Sequence, residues 1–196
     1  DEMRAELVAP DKYKLSRLLR GQAGTERAMA SPVAAGARFV LLNGAVRETG
    51  LTAEQRGLAL NWRYGPASRT IDDFTYQTAV VTARGVGLRP LSVAQVRLSR
   101  NYASNDLSLS WVRRTRIGGD SWEQIEVPLA EDSERYEVDI LSGVVVKRTL
   151  TAVSPSVLYT AAQQIADFGA APALPLSVAI YQISTSFGRG SVREEI

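Results

Sequence analysis

"LSLSWVRRTR" spans Leu107–Arg116, and how it is read decides the fold. Leu107, Leu109 and Trp111 are apolar, with Ser108 and Ser110 between them. A strand sends successive side chains to opposite faces, so this pattern predicts a strand with Trp111 turned inward beside the two leucines. Arg114 falls on the other parity, with the serines. Arg113 shares the parity of Trp111, yet near a strand end its long stem is expected to carry the charge out to solvent. The alternative is an aromatic-plus-basic surface for nucleic acid or sugar. Parity favours the inward tryptophan, and acids nearby answer the arginines.

Working outward, the rest of 89–196 is punctuated like an antiparallel sandwich of about 100 residues. "LSVAQVRLS" is a first strand. "SERYEVDIL" alternates Tyr136, Val138 and Ile140, with Glu137 and Asp139 on its outer face. If it neighbours the Trp111 strand, those acids meet Arg114 across the sheet. Ser142–Gly143 is a hairpin turn from which "VVVKRTLTA" returns. "LPLSVAIYQIS" alternates Leu174, Leu176, Val178 and Ile180, and "GRGSVREEI" makes a glycine corner with a last short strand. "SPSVLYTAAQQIADFG" carries helix marks, with Ser154 and Pro155 as a start and Gly169 as a stop. Within it, "SVLYT" reads as a strand end and "AAQQIADF" as one or two helical turns.

"GVGLRPLSV" reads as a linker, which places a domain boundary between residues 88 and 89. Residues 1–88 are also mostly β, and Leu7, Tyr13, Leu15 and Leu18 are candidate core positions. "ARFVLLNGAV" predicts a strand running into an Asn43–Gly44 turn. "GLALNWRYG" puts Leu58, Leu60, Trp62 and Tyr64 on one face, and "FTYQTAVVTARG" is a partner strand. "SPVAAGA" predicts a loop. This half looks incomplete, because its strands need partners that we expect upstream. The chain opens at Asp1 rather than methionine, which suggests a piece of a longer polypeptide or only its ordered portion.

Composition narrows the chemistry. The chain has 196 residues, 45% hydrophobic and 22% charged, enough to bury a core. Cysteine and histidine are both absent. That removes disulfides, thiol nucleophiles, imidazole bases and nearly all zinc, copper or haem sites. A net charge of +2 is small for a nucleic-acid-binding domain, so no nucleic acid is expected. No run is apolar enough to span a bilayer, and no signal peptide is evident.

The acids Asp120, Glu123, Glu126, Glu131, Asp132, Glu134, Glu137 and Asp139 could pair for glycoside hydrolysis or hold calcium. They lack the calcium-loop spacing and alternate with apolar residues as a sheet exterior does. Asp72–Asp73 is a similarly weak pair. "GQAGTE", "GVG" and "GRG" make no phosphate loop, and no nucleophile motif is present. We therefore expect no enzyme, no cofactor, no metal and no catalytic residue in these residues. The candidate contacts to a partner or a glycan are Trp122, in the loop after "IGGDS", and Arg113 and Arg116.

Two resemblances rest on these segments. Residues 89–196 resemble a fibronectin type III module, with "LSVAQVRLS", "NDLSLSWVRR" and "YEVDIL" as its A, B and C strands, "VVVKRTLTA" as the next strand over, and "LSVAIYQISTSFGRG" as its F strand and the glycine-containing turn into strand G. Leu176 stands where that module commonly has a tyrosine, and the helical insert is atypical.

"YKLSRLLRGQAGTE", "YEVDILSG", "YTAAQQIADFG" and "VAIYQIS…GRG" together resemble the C-terminal region of the large tail-tip protein of gene transfer agents and related siphophages of alphaproteobacteria. "LLRGQAGTE" also resembles a segment of host-specificity tail-tip proteins. This second resemblance implies a virion protein of the distal tail tip or baseplate, assembled in the bacterial cytoplasm. It also implies a homotrimer around the tail axis. Its partners would be other tail proteins and a host-surface glycan or receptor. The fold class is then a β-rich hub-type domain over 1–88 followed by a fibronectin type III-like antiparallel β-sandwich over 89–196. The upstream barrel of such proteins, which resembles glycoside hydrolases, is not within these residues. The competing expectation is a noncatalytic glycan-binding accessory module of a secreted bacterial carbohydrate-active enzyme.

Overall fold

The computed structural model describes residues 4–21, 25–40, 44, 48–119 and 127–195. The expectation of a mainly β chain holds: among the described residues there are twelve strands and one α-helix. The chain divides into two compact units. One joins Asp1–Ala35 to Arg89–Ile196, and the other is Gly36–Leu88. The first 35 residues group with the second half, so the units are not the two halves 1–88 and 89–196.

The larger unit contains two facing antiparallel sheets. The first has the order β5 (Ala94–Arg100), β6 (Leu107–Val112), β9 (Ser156–Tyr159). The second has the order β8 (Val145–Ala152), β7 (Tyr136–Ser142), β10 (Val178–Ser184), β11 (Gly188–Arg189). β12 (Arg193–Glu195) also pairs with β10. β6 is buried and exposed at alternate positions, as the parity of "LSLSWV" demands: Leu107, Leu109 and Trp111 are inside. Register sets the core in rows. Leu109 lies opposite Leu98 on one side and Val157 on the other, and Val138 lies opposite Ile180 and Leu150. One cluster joins both sheets, with Trp111, Tyr136, Ile140, Tyr159 and Val178 among its members.

The expected neighbourhood of β6 and β7 is corrected here. They lie in different sheets, so Arg114 cannot meet Glu137 and Asp139 across a ladder. Those acids are answered by Arg189 instead, and Arg114 pairs with Glu26 at 2.6 Å.

The helix is the segment read as helical turns, "AAQQIADF", and its cap is not the candidate Ser154. α1 (Ala161–Phe168) is capped by Thr160, whose Oγ1 accepts from the Gln163 N–H while the Gln163 side chain accepts from the Thr160 N–H. Gly169 ends it in the left-handed region, at φ 78°, a conformation glycine takes without steric penalty. Ser156–Tyr159 extends the first sheet, as the strand reading of "SVLYT" expects. Polar contacts hold α1 to the sandwich. The wholly buried Gln164 amide donates to the carbonyls of Asn105 and Tyr159, both at 2.9 Å, and accepts from Arg100 at 3.1 Å. Asp167 accepts two hydrogen bonds from Arg148 and one from the Tyr159 hydroxyl. The Arg148 hydrogen bonds lead in holding the Asp167 carboxyl below its ordinary range, against the opposing effect of burial.

The "GRG" corner is a close approach. The Gly190 N–H donates to the Gln182 carbonyl at 2.8 Å, and the Ser191 N–H donates to the Pro90 carbonyl at 2.9 Å. A Cβ at Gly190 would lie 2.8 Å from Pro90 Cβ and 2.9 Å from both carbonyl oxygens. The backbone on two sides would have to move. Gly190→Ala should therefore cost about 1–3 kcal/mol of stability in urea unfolding. An unchanged midpoint would mean that the Pro90 segment slips aside freely.

The first 88 residues differ from the sequence expectation. β1 (Arg4–Ala9) and β2 (Lys12–Ser16) form one two-stranded hairpin, and β3 (Ala59–Tyr64) and β4 (Gln77–Thr82) form another. Leu7, Tyr13 and Leu18 were expected inside, but they are exposed, and Leu15 is only partly buried. A two-stranded hairpin has no second layer to bury them against. Trp62 and Leu60 are likewise only partly covered, and Leu58 and Tyr64 are exposed. Residues 37–40 form no strand, and Phe39 and Val40 are exposed. The expected turn at Asn43–Gly44 falls largely outside the described residues.

Candidate functional site

The end of the β6 strand is where charge gathers. β6 stops at Val112, and residues 113–116 leave the sheet carrying three arginines. Arg113 turns inward. Its side chain is 12% exposed, sits 3.2 Å from Glu134 and donates to the Val127 carbonyl at 2.7 Å. The expectation that it reaches solvent is corrected: Glu134, which also accepts from the Tyr136 hydroxyl, supplies an internal counter-charge. Arg116 is 18% exposed, and donates to the nearly buried Glu131 and to the Ala130 carbonyl. Trp122, the third candidate contact, lies outside the described residues.

Beside them, the N-terminal segment of the same unit completes a polar cleft of about 420 Å³. Arg20, Gly21 and Glu26 line one wall, and Leu91, Arg114, Thr115 and Arg116 line the other. Glu26 opens the short 3-10 turn Glu26–Ala28, which places its carboxylate at Arg114. Arg114 also donates to Ser92 Oγ at 3.3 Å, and Arg20 donates to the Ala30 carbonyl at 2.6 Å. Burial pushes the Glu26 carboxyl upward, but the Arg114 hydrogen bond and charge, with a backbone hydrogen bond, outweigh it and hold the group below its usual value. Glu26 is therefore a carboxylate at neutral pH. The joining of "LLRGQAGTE" to "RRTR" was not legible in the sequence, since 88 residues separate Glu26 from Arg114.

Among the described residues that line the cleft there is no nucleophile–base pair. Among the described residues no three acids gather into a metal-binding group. No helix among them is long and apolar enough to cross a membrane.

Residues 3–40 match a family model described as Rcc01698-like, C-terminal. No curated protein matches the chain. A solved structure similar to it is the extracellular region of rat CD45, domains d3–d4, at 10% identity and a TM-score of 0.34. That similarity covers 98% of this chain and 93% of the other.

Proposed function

We propose that this chain is a noncatalytic structural region of a tail tip or baseplate of the gene-transfer-agent and siphophage type. In this reading residues 1–88 help build the hub with other tail proteins, in three copies around the tail axis. The sandwich, of fibronectin type III type, projects toward the host surface.

The observation that carries the reading is a contrast in burial. Among the described residues, every buried hydrophobic residue lies between Leu91 and Ile180. None of the described residues from 4 to 89 is buried, although they include two regular hairpins. A lone hairpin is marginal in water, and exposed edges and apolar faces of this kind are normally covered. An assembly component would cover them with its neighbours. The family match over residues 3–40 falls on the first of these hairpins. The strand order β5-β6-β9 opposite β8-β7-β10-β11 supports a fibronectin type III type for the sandwich.

Reconstruction of intact particles tests the proposal. The chain is expected at the distal tail end, with its two hairpins buried against neighbouring subunits. Finding it in the capsid, or nowhere in the particle, would overturn the reading.

A further inference from the structure

We propose that the turn at residues 25–30 is a strap, clipped onto the sandwich by two exposed ion pairs, Glu26–Arg114 and Arg27–Glu194, and that it opens when salt ions replace them.

The strap is a side attachment of the sandwich. None of the described residues from 4 to 35 is buried. Among the described strands, β1 and β2 pair with each other and with neither sheet of the sandwich. Charge brings the turn to the sandwich at two points. Glu26 lies 2.6 Å from Arg114, and its neighbour Arg27 lies 3.1 Å from Glu194. Arg114 follows β6 of the first sheet, and Glu194 belongs to β12 of the second. Adjacent residues thus tie one turn to both sheets. Their opposite signs fix its orientation: reversing the turn would set Glu26 against Glu194 and Arg27 against Arg114.

Both pairs are open to water. Arg114 and Glu26 are 39% and 32% exposed, and Arg27 and Glu194 are 56% and 61% exposed. Pairs so hydrated add little stability, and salt screens them. The turn meanwhile holds its own shape. The Ala28 N–H donates to the Thr25 carbonyl at 2.9 Å, and Arg20 donates to the Ala30 carbonyl at 2.6 Å. It can therefore leave the sandwich as a unit. Arg17, Arg20 and Thr25 make further interactions. If those hold the strap in place, neither salt nor charge reversal will move it. The strap is a property of the isolated chain, so its failure would leave the tail-tip reading standing.

The chain has no cysteine, so Ala28→Cys and Ser108→Cys, both at exposed positions, direct two spin labels to the strap and to β6. Double electron–electron resonance reads the distance between them. At 0.01 M salt, where charges are screened over about 30 Å, one narrow distance distribution is expected. At 1 M the screening length falls to about 3 Å, and the distribution should widen about twofold or more. Arg27→Glu should widen it already at low salt, by repulsion from Glu194, and adding Glu194→Arg should restore the narrow form. A second label pair within the sandwich, Ser108→Cys with Thr151→Cys, should keep its width throughout, which separates release of the strap from unfolding. A width that is constant from 0.01 to 1 M salt, or already broad at low salt, would overturn the proposal. So would equal widening of the sandwich pair, or a charge swap that fails to restore the Arg27→Glu variant.

Discussion

Trp111→Ala should lower the unfolding free energy by about 3–5 kcal/mol. Trp111 is 4% exposed and stands edge-on to Tyr136, with ring centroids 5.0 Å apart. It lies at the open end of β6, where it joins the inward faces of both sheets in one cluster. Truncation removes a large apolar surface and an edge-to-face contact, and leaves a cavity that two fixed sheets cannot close. Trp111→Phe separates the causes. The indole Nε1 is buried and makes no well-formed hydrogen bond, with the Tyr136 side chain beside it, so the native residue already bears part of the cost of a poorly satisfied donor. Phenylalanine loses volume but removes that donor, and its cost should stay below about 2 kcal/mol. Chemical unfolding of both variants measures the difference. If the two cost the same, filling the space is not what makes Trp111 matter.

The sandwich was legible because its signals are local. Period-two alternation in "LSLSWV" and "YEVDI" sets which side chains enter the core, and no later packing choice reverses it. Helix caps are local too: Gly169 was legible as the stop, and the Thr160–Gln163 box spacing would have given the start in place of Ser154–Pro155. Strand neighbours are not local. Nothing in the residues of β6 and β7 says that they belong to opposite sheets, so pairing Arg114 with Glu137 and Asp139 was plausible and mistaken. The N-terminal hairpins show a further limit. Alternation in Leu7, Tyr13 and Leu15 marks an apolar face truly enough, since Leu7 pairs with Tyr13 and Ala5 with Leu15. Alternation cannot say whether the covering layer lies within the same chain. The arginine cleft escaped for the same reason as the sheet order: its two walls come from distant segments brought together by the fold.

Arg189→Ala should destabilise the chain by about 2–4 kcal/mol, through a carboxylate rather than through the core. Asp139 sits on the outer face of β7, yet its side chain is only 4% exposed. Arg189 covers it, donating through Nη1 at 2.6 Å and Nη2 at 3.0 Å, while Nε reaches Glu137 at 2.6 Å. The same guanidinium lies 4.5 Å from the Tyr181 ring centroid. These hydrogen bonds, Asp139 foremost, raise the Arg189 pKa further above its ordinary value, so it is charged at every pH where the protein folds. Removing it leaves Asp139 with the Thr149 hydroxyl as its remaining side-chain donor. An unpaired buried carboxylate usually costs about 3–5 kcal/mol, and the lower range is expected here because Arg189 is 41% exposed and water can replace part of it. Arg189→Lys should recover only part of the loss, since an ammonium cannot span both Asp139 oxygens and Glu137. Asp139→Asn separates loss of the pair from loss of packing. In the Arg189→Ala background it should restore at least about 1 kcal/mol, because the stranded charge is gone. A double-mutant cycle in urea measures that coupling. A value near zero would mean that water hydrates Asp139 once Arg189 is removed, and that the arginine acts only by covering Tyr181. Gly188 and Gly190 flank Arg189 in the "GRG" corner, and the close approach at Gly190 fixes the turn that lays this side chain over the acids. Gly190→Ala and Arg189→Ala should therefore be less than additive, since the first already displaces what the second removes.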